Sequence, residues 1–170
     1  MTTDMRGEDA FIGLGSNLGD RGAELDRALG EVAALPETTL VGHSSYYESA
    51  PLRASGGDYL NAVAHVRTRL TPLALLHALQ TIELRHGRER PFANAPRTLD
   101  LDLLLHGDAE SGSAELALPH PRMHERAFVL APLAEIAPGL CIPGHGRIEA
   151  LLKALEAKAV VRLRNPKLDR

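Results

Sequence analysis

The sequence predicts an α+β protein of the ferredoxin-like, split βαβ kind, a mostly antiparallel sheet with helices packed on its faces. Two observations carry this. Up to Leu105 the segments run strand, helix, strand, strand, helix, strand. Both helical stretches are bounded by start and stop signals, and the strands carry short apolar or alternating runs. The length of 170 residues and the 44% hydrophobic content suit one packed core. A single domain over the whole chain is expected, its core from about residue 10 to about residue 165.

The elements follow in order. Ala10–Leu14 is a short apolar run closed by the turn-prone Gly15-Ser16-Asn17, and reads as a buried strand. From Asp20 onward Leu25, Ala28, Leu29, Val32 and Leu35 recur at helical spacing, with Pro36 just past the end. Thr39–Tyr47 is β-branched and aromatic enough for a strand, and Glu48–Gly57, with Pro51, Gly56 and Gly57, reads as a loop. Tyr59–Thr68 alternates: Leu60, Ala62, Ala64 and Val66 share one face, Tyr59, Asn61, Val63 and His65 the other. Thr71 and Pro72 form an N-cap and first-turn proline for a second helix, with Gly87 after His86 as its stop. Gly87–Arg97 is a loop, Leu99–Leu105 a strand, and Asp108–Gly112 a surface turn. Leu116–Leu118 suggests a short strand, and Arg126–Ala131 a short helix that Pro132 must end or distort. From Ile148 a small helix and a last strand near Val160–Leu163 are expected.

Composition narrows the function. A net charge of -3 with 24% charged residues argues against disorder and against a general binder of nucleic acid or acidic membrane, which carries a basic excess. Cys141 is the one cysteine, so no intrachain disulfide or Cys-based zinc site can form, as suits a reducing cytoplasm. No apolar run approaches the ~18 residues of a membrane span, and the polar Met1-Thr2-Thr3-Asp4 start lacks signal-peptide order. A soluble cytoplasmic monomer acting on small molecules is expected.

Asp100 and Asp102 stand two apart on a strand, so their carboxylates share a face while Leu99, Leu101 and Leu103 take the other. Alone, that is the pattern of an ordinary half-exposed strand. Two adjacent carboxylates also suit Mg²⁺, a hard ion that takes oxygen ligands and shares them with phosphates. Arg88, Arg90 and Arg97 lie just upstream, and His120, Arg122, His124 and Arg126 follow. Guanidinium groups pair bidentately with phosphate oxygens, so carboxylates and arginines together suggest a metal-bound polyphosphate. Leu76, Gln80 and Glu83 fall on one stripe of the second helix. No G-x-x-x-x-G-K-[ST] string occurs, Leu18 stands where G-x-G-x-x-G needs its third glycine, and no G-x-S-x-G elbow is present.

The strings Gly13-Leu14-Gly15-Ser16-Asn17-Leu18-Gly19, Asp58-Tyr59-Leu60-Asn61-Ala62 and Pro96-Arg97-Thr98-Leu99-Asp100-Leu101-Asp102 resemble the signatures of the 6-hydroxymethyl-7,8-dihydropterin pyrophosphokinase family. Leu118-Pro119-His120-Pro121-Arg122-Met123 and Ile136-Ala137-Pro138 add to the likeness, which spans roughly residues 10 to 145. The resemblance implies transfer of the terminal pyrophosphoryl group of ATP to the hydroxymethyl group of a dihydropterin, releasing AMP. It implies Asp100 and Asp102 as ligands of two Mg²⁺ ions, and Arg88, Arg97, His120 and Arg126, with Arg90, around the triphosphate. Leu76, Gln80, Leu103 and the backbone near Leu116 would frame the adenine. The pterin would lie between Tyr59 and Phe128, with Asn61 on its edge and the Ser49–Leu52 backbone, through Ala50, completing recognition. Glu83 would support the ATP and pterin ends as a polar wall residue.

The chain departs from the family pattern in lacking tryptophan, with Phe92 or Asn94 in that loop, and in Ala95 before Pro96. The rival readings are another Mg-dependent phosphate-transfer or phosphodiester enzyme using Asp100 and Asp102, which leaves Tyr59, Asn61 and Phe128 idle, and a ferredoxin-like RNA-binding module, which the acidic balance and 4% aromatics oppose.

Overall fold

The computed structural model describes residues 7–17, 19–49, 59–87, 99–155 and 163–164. Its main sheet places β5 (Asp100–His106), β1 (Glu8–Ser16) and β4 (Tyr59–Thr68) side by side. Beyond β4 lie β2 (Thr38–His43) and β3 (Tyr46–Ser49), and the last strand, β8 (Leu163–Arg164), closes that edge on β3. Every neighbouring pair is antiparallel. Strand β4 sits between β1 and the β2/β3 edge, and β1 between β4 and β5, which is the split βαβ arrangement.

Strand alternation divides the core in two. Ile12, Leu14, Leu60, Ala62, Ala64, Val66, Leu101 and Leu103 face helices α1 (Arg21–Ala33) and α2 (Pro72–Arg85), meeting Leu25, Leu29, Val32, Leu75, Leu79 and Ile82. On the opposite face Phe11, Val63 and Leu104 pack with Met123, with Val129, Leu130 and Leu133 of α3 (Ala127–Ile136), and with Ile148 of α4 (Ile148–Leu155). Asp20 caps α1 by accepting from the Ala23 amide, and Thr71 caps α2 by accepting from Ala74 with Pro72 in the first turn. Gly87, at φ 73°, takes the left-handed conformation that ends α2.

Three segments differ from expectation. The single strand of Thr39–Tyr47 is two strands, and the second runs on to Ser49. The break is at Ser44, whose amide donates to the Val63 carbonyl and whose hydroxyl accepts from the Val63 amide, so a side chain stands in for a ladder group. Helix α3 continues through Pro132 to Ile136 rather than stopping at Ala131. Pro132 removes one donor, yet Val129, Leu130 and Leu133 are buried, and that packing outweighs one lost bond. The Asp108–Gly112 turn is shorter, because Ser111–Gly112 (β6) pairs with Ala117–Leu118 (β7).

The ends of the two first-layer helices are tied together by His86. Its ring is fully buried, Nδ1 lies 2.5 Å from Glu24 and Nε2 lies 2.5 Å from Glu31, both on one side of α1. Replacing His86 by alanine leaves those two carboxylates facing each other across a void. We expect His86→Ala to cost about 2 kcal/mol, seen as a lower urea midpoint with an unchanged slope.

Candidate active site

The register of β1 with its two neighbours builds a row of residues across one face of the sheet. Gly15 pairs with Asp100 on one side and Asn61 on the other, and Asn61 pairs in turn with Tyr47. One step along, Gly13 lies between Asp102 and Val63, and one step the other way Tyr59 pairs with Ser49. Directly opposed residues of antiparallel strands share a face. The carboxylates of Asp100 and Asp102 therefore stand on the same face as Tyr59, Asn61, Tyr47 and Ser49, two strand spacings or roughly 10 Å away across β1.

Between them β1 presents no side chain. A Cβ at Gly15 would come to 3.3 Å from Asn61 Oδ1 and 3.5 Å from Tyr59 Cδ1. At Gly13 a Cβ would rest on the Leu104 side chain at 3.6 Å. The hydrophobic cluster of this face takes in Val63 and Leu104 and does not extend to Asn61, Tyr59, Asp100 or Asp102. The face is thus greasy where α3 and α4 cover it and polar beyond them.

The acidic strand is held from behind. Glu83 of α2 is buried, and its Oε2 accepts the Leu101 amide at 2.7 Å, between the two aspartates. Glu83 thereby sits at the outer edge of β5, where it fixes the peptide carrying Asp100 and Asp102. Because the Leu101 amide points away from β1, the Leu103 amide, two residues on, points to the same outer edge. Leu76 and Leu116 are both half-buried against the first core, of which Leu103 is a member. Gln80 is exposed on α2. A His77–Glu115 contact of 2.6 Å ties α2 to the β6–β7 arm. The peptide groups of Leu116 itself are occupied: its amide donates to Ser113 Oγ at 3.0 Å and its carbonyl accepts from Ser111 Oγ and Ser113 Oγ. Leu116 therefore offers its side chain and not its backbone.

His120 closes the other side of the aspartates. Its amide donates to the Leu104 carbonyl at 2.9 Å, two residues past Asp102. Burial holds its imidazole below the usual histidine range, against the opposing pull of Asp102 and with the push of Arg126 and Arg122. Nδ1 accepts the Arg122 amide at 3.2 Å, which leaves Nε2 to carry the proton of the neutral ring. Arg126 stands at the start of α3, its guanidinium 5.6 Å from the centre of the Phe128 ring. Helix α3 packs on β4 and β3, which brings Phe128 to the Tyr59 and Asn61 face.

On the β3 side, Asn61 is buried and donates to Ser49 Oγ at 2.7 Å and to the Tyr47 carbonyl at 3.4 Å, so its amide plane is set by the neighbouring strand. Of the residues singled out from sequence, one sheet face and its rim gather Ser49, Tyr59, Asn61, Asp100, Asp102, His120, Arg126 and Phe128. Leu76, Leu103 and Leu116 gather at the β5 edge. Ala50, Leu52, Arg88, Arg90 and Arg97 lie outside the described residues. Sequence reasoning missed Gly13 and Gly15 as the floor, although they share the two-residue spacing of Asp100 and Asp102, and missed Tyr47, which extending the strand to Ser49 would have placed on the Asn61 face.

The family model described as 7,8-dihydro-6-hydroxymethylpterin-pyrophosphokinase matches residues 11–138. The chain belongs to this family. A pyrophosphokinase of Pseudomonas aeruginosa, 2-amino-4-hydroxy-6-hydroxymethyldihydropteridine pyrophosphokinase, is 44% identical over 154 residues, 90% of this chain and 95% of that protein. A protein of the same name from Haemophilus influenzae is 44% identical over 158 residues, 92% of this chain and 98% of that one. In three dimensions the wild-type HPPK-DHPS of Plasmodium falciparum superposes with a TM-score of 0.70 at 12% identity, over 89% of this chain and 41% of that longer one. At that identity the structural match speaks for the fold alone, the ferredoxin-like α+β sheet. As a family member this chain is an ATP-dependent pyrophosphokinase of folate biosynthesis.

The floor yields a test of the row. Gly15→Ala puts a methyl against Asn61 Oδ1. We expect a folded protein, with a melting temperature within a few degrees of the parent, whose pterin affinity falls by about tenfold or more in a direct fluorescence titration.

Proposed function

We propose that the row Asp100, Gly15, Asn61 is where the reaction takes place: the hydroxymethyl oxygen of the dihydropterin joins the β-phosphorus of ATP and gives up its proton to solvent, the bond from that phosphorus to the AMP oxygen breaks, and the pterin diphosphate and AMP leave. The observation that carries this reading is that two carboxylates and a hydrogen-bonding amide face each other across a side-chain-free strip of β1. A planar ring can lie beside Asn61 and Tyr59 and point its substituent toward the aspartates.

The donor set suits magnesium. Asp100 and Asp102 give hard oxygen ligands on one face, and among the described residues no group of three or more His, Cys, Asp and Glu side chains forms a metal cage. Mg²⁺ takes one or two carboxylates and completes its shell with waters and phosphate oxygens. Asp100 and Asp102 would hold two such ions, which would supply charge neutralisation at the phosphates. His120, with Nε2–H free to donate, and Arg126 would hold phosphate oxygens, joined by Arg88, Arg90 and Arg97. Leu76, Gln80 and the Leu116 side chain would flank the adenine, with the outward Leu103 amide available to its edge. Tyr59 and Phe128 would stack on the two faces of the pterin, Asn61 would read its edge, and Ser49, Ala50 and Leu52 would complete the pocket. Catalysis then rests on positioning and charge neutralisation, with no side chain assigned as general base.

The same reading makes the chain a cytoplasmic monomer acting on ATP and 6-hydroxymethyl-7,8-dihydropterin, with neither nucleic acid nor membrane as partner. The net charge of -3 supports this, and no described helix is long and apolar enough to cross a membrane.

Purified protein given ATP, Mg²⁺ and the hydroxymethyl dihydropterin should release AMP and pterin diphosphate, resolved by chromatography. ADP as the nucleotide product would overturn the proposal. Asp100→Asn and Asp102→Asn should each lower kcat by about a thousandfold at an unchanged melting temperature, and a fully active double variant would remove the metal role.

A further inference from the structure

The walls assigned to the pterin belong to different elements, Phe128 to α3 and Tyr59 and Asn61 to β4, so something must set their separation. Glu135, on the same helix, is exposed, and its carboxylate accepts several hydrogen bonds from the β2–β3 corner. The Ser45 amide reaches both oxygens at 3.1 and 3.0 Å, the Ser45 hydroxyl donates at 2.9 Å, and the Tyr47 hydroxyl donates at 2.9 Å. The Tyr47 hydroxyl also lies 3.4 Å from the Ala131 carbonyl of α3. At its other end the Tyr47 carbonyl accepts from Asn61 Nδ2 at 3.4 Å. One tyrosine thus touches the helix that bears Phe128 and the amide that would read the pterin edge.

Phe128, Ala131 and Glu135 lie three and then four residues apart, on one face of α3. Pro132 has no amide to give the Phe128 carbonyl, so the backbone ladder is open at the turn that carries Phe128. A contact that anchors the helix beyond this gap therefore bears on where Phe128 stands. We propose that Glu135 is a positioning residue for the pterin: its carboxylate, through Ser45 and Tyr47, fixes α3 against β3 and sets the distance from Phe128 to Tyr59 and Asn61. The inference rests on the pterin roles proposed above.

The experiment compares the parent, Glu135→Ala, Glu135→Gln and Tyr47→Phe in steady-state AMP release, with pterin binding measured separately by fluorescence without ATP. Glu135→Ala should raise the pterin KM and Kd about tenfold, the size of one lost charge-assisted bond, while the KM for ATP and kcat stay within about twofold. Glu135→Gln, which keeps an acceptor oxygen of similar reach, should recover part of that loss. The double variant of Glu135→Ala with Tyr47→Phe should lose less than the two single losses multiplied together. A rise in both KM values together, or a drop in melting temperature with an unchanged pterin Kd, would show a purely structural role and overturn the inference. Should Glu135→Ala not fold, the glutamine variant carries the same comparison. Absence of AMP from the parent would remove the reaction, and this inference with it; AMP release with an unchanged pterin Kd in the variants would remove this inference alone.

Discussion

Everything in this fold hangs on β1 having two unlike faces. It is the strand between β4 and β5, and toward α1 and α2 it buries Ile12 and Leu14. Toward the other face it shows glycine at 13 and 15. Burial of the large residues holds the middle of the sheet, and the missing side chains keep open the strip across which Asp100 and Asn61 face each other. Glycine in a strand interior forgoes packing and raises the entropy lost on folding, so the strip is a local weakness. The neighbours compensate: β1 is paired on both edges for most of its length.

The supports of the two sides differ in kind. The acidic side is stiffened by a buried carboxylate under a peptide amide, Glu83 to Leu101, with Leu101 and Leu103 in the core. The ring side is stiffened by a relay of polar contacts at the rim, from Glu135 through Ser45 and Tyr47 to Asn61. A phosphate site needs fixed charges, and a stacking site needs a fixed gap. Both supports hold a distance, one through a buried carboxylate and the other through an exposed one.

Much of this was legible from the chain. The Thr71-Pro72 start, the Tyr59–Thr68 alternation and the Asp100–Asp102 spacing are local signals, and each led to the right element or face. Signals that depend on distant partners were not legible. The strand break after His43 is made by Ser44 bonding Val63 and by Ser45 turning to a glutamate 90 residues away. Pro132 reads locally as a helix stop, and only the burial around it shows why the helix runs on. Helical periodicity put Glu83 on a stripe with Leu76 and Gln80, but which neighbour its carboxylate meets is a matter of how α2 lies on β5. Nothing in the string announces that two serines close upon the Leu116 peptide groups.

The alternation of β5 has an evolutionary side. Core leucines and site aspartates are interleaved one for one along the same few peptides, so the strand works like a reading frame. Substitution can change a letter, but a single inserted or deleted residue would turn the aspartates into the interior and the leucines onto the polar face. Such a change would be lost as misfolding before it could be tried as chemistry. The segment proposed to hold the metal is therefore barred from the length variation by which loop-borne sites are remodelled.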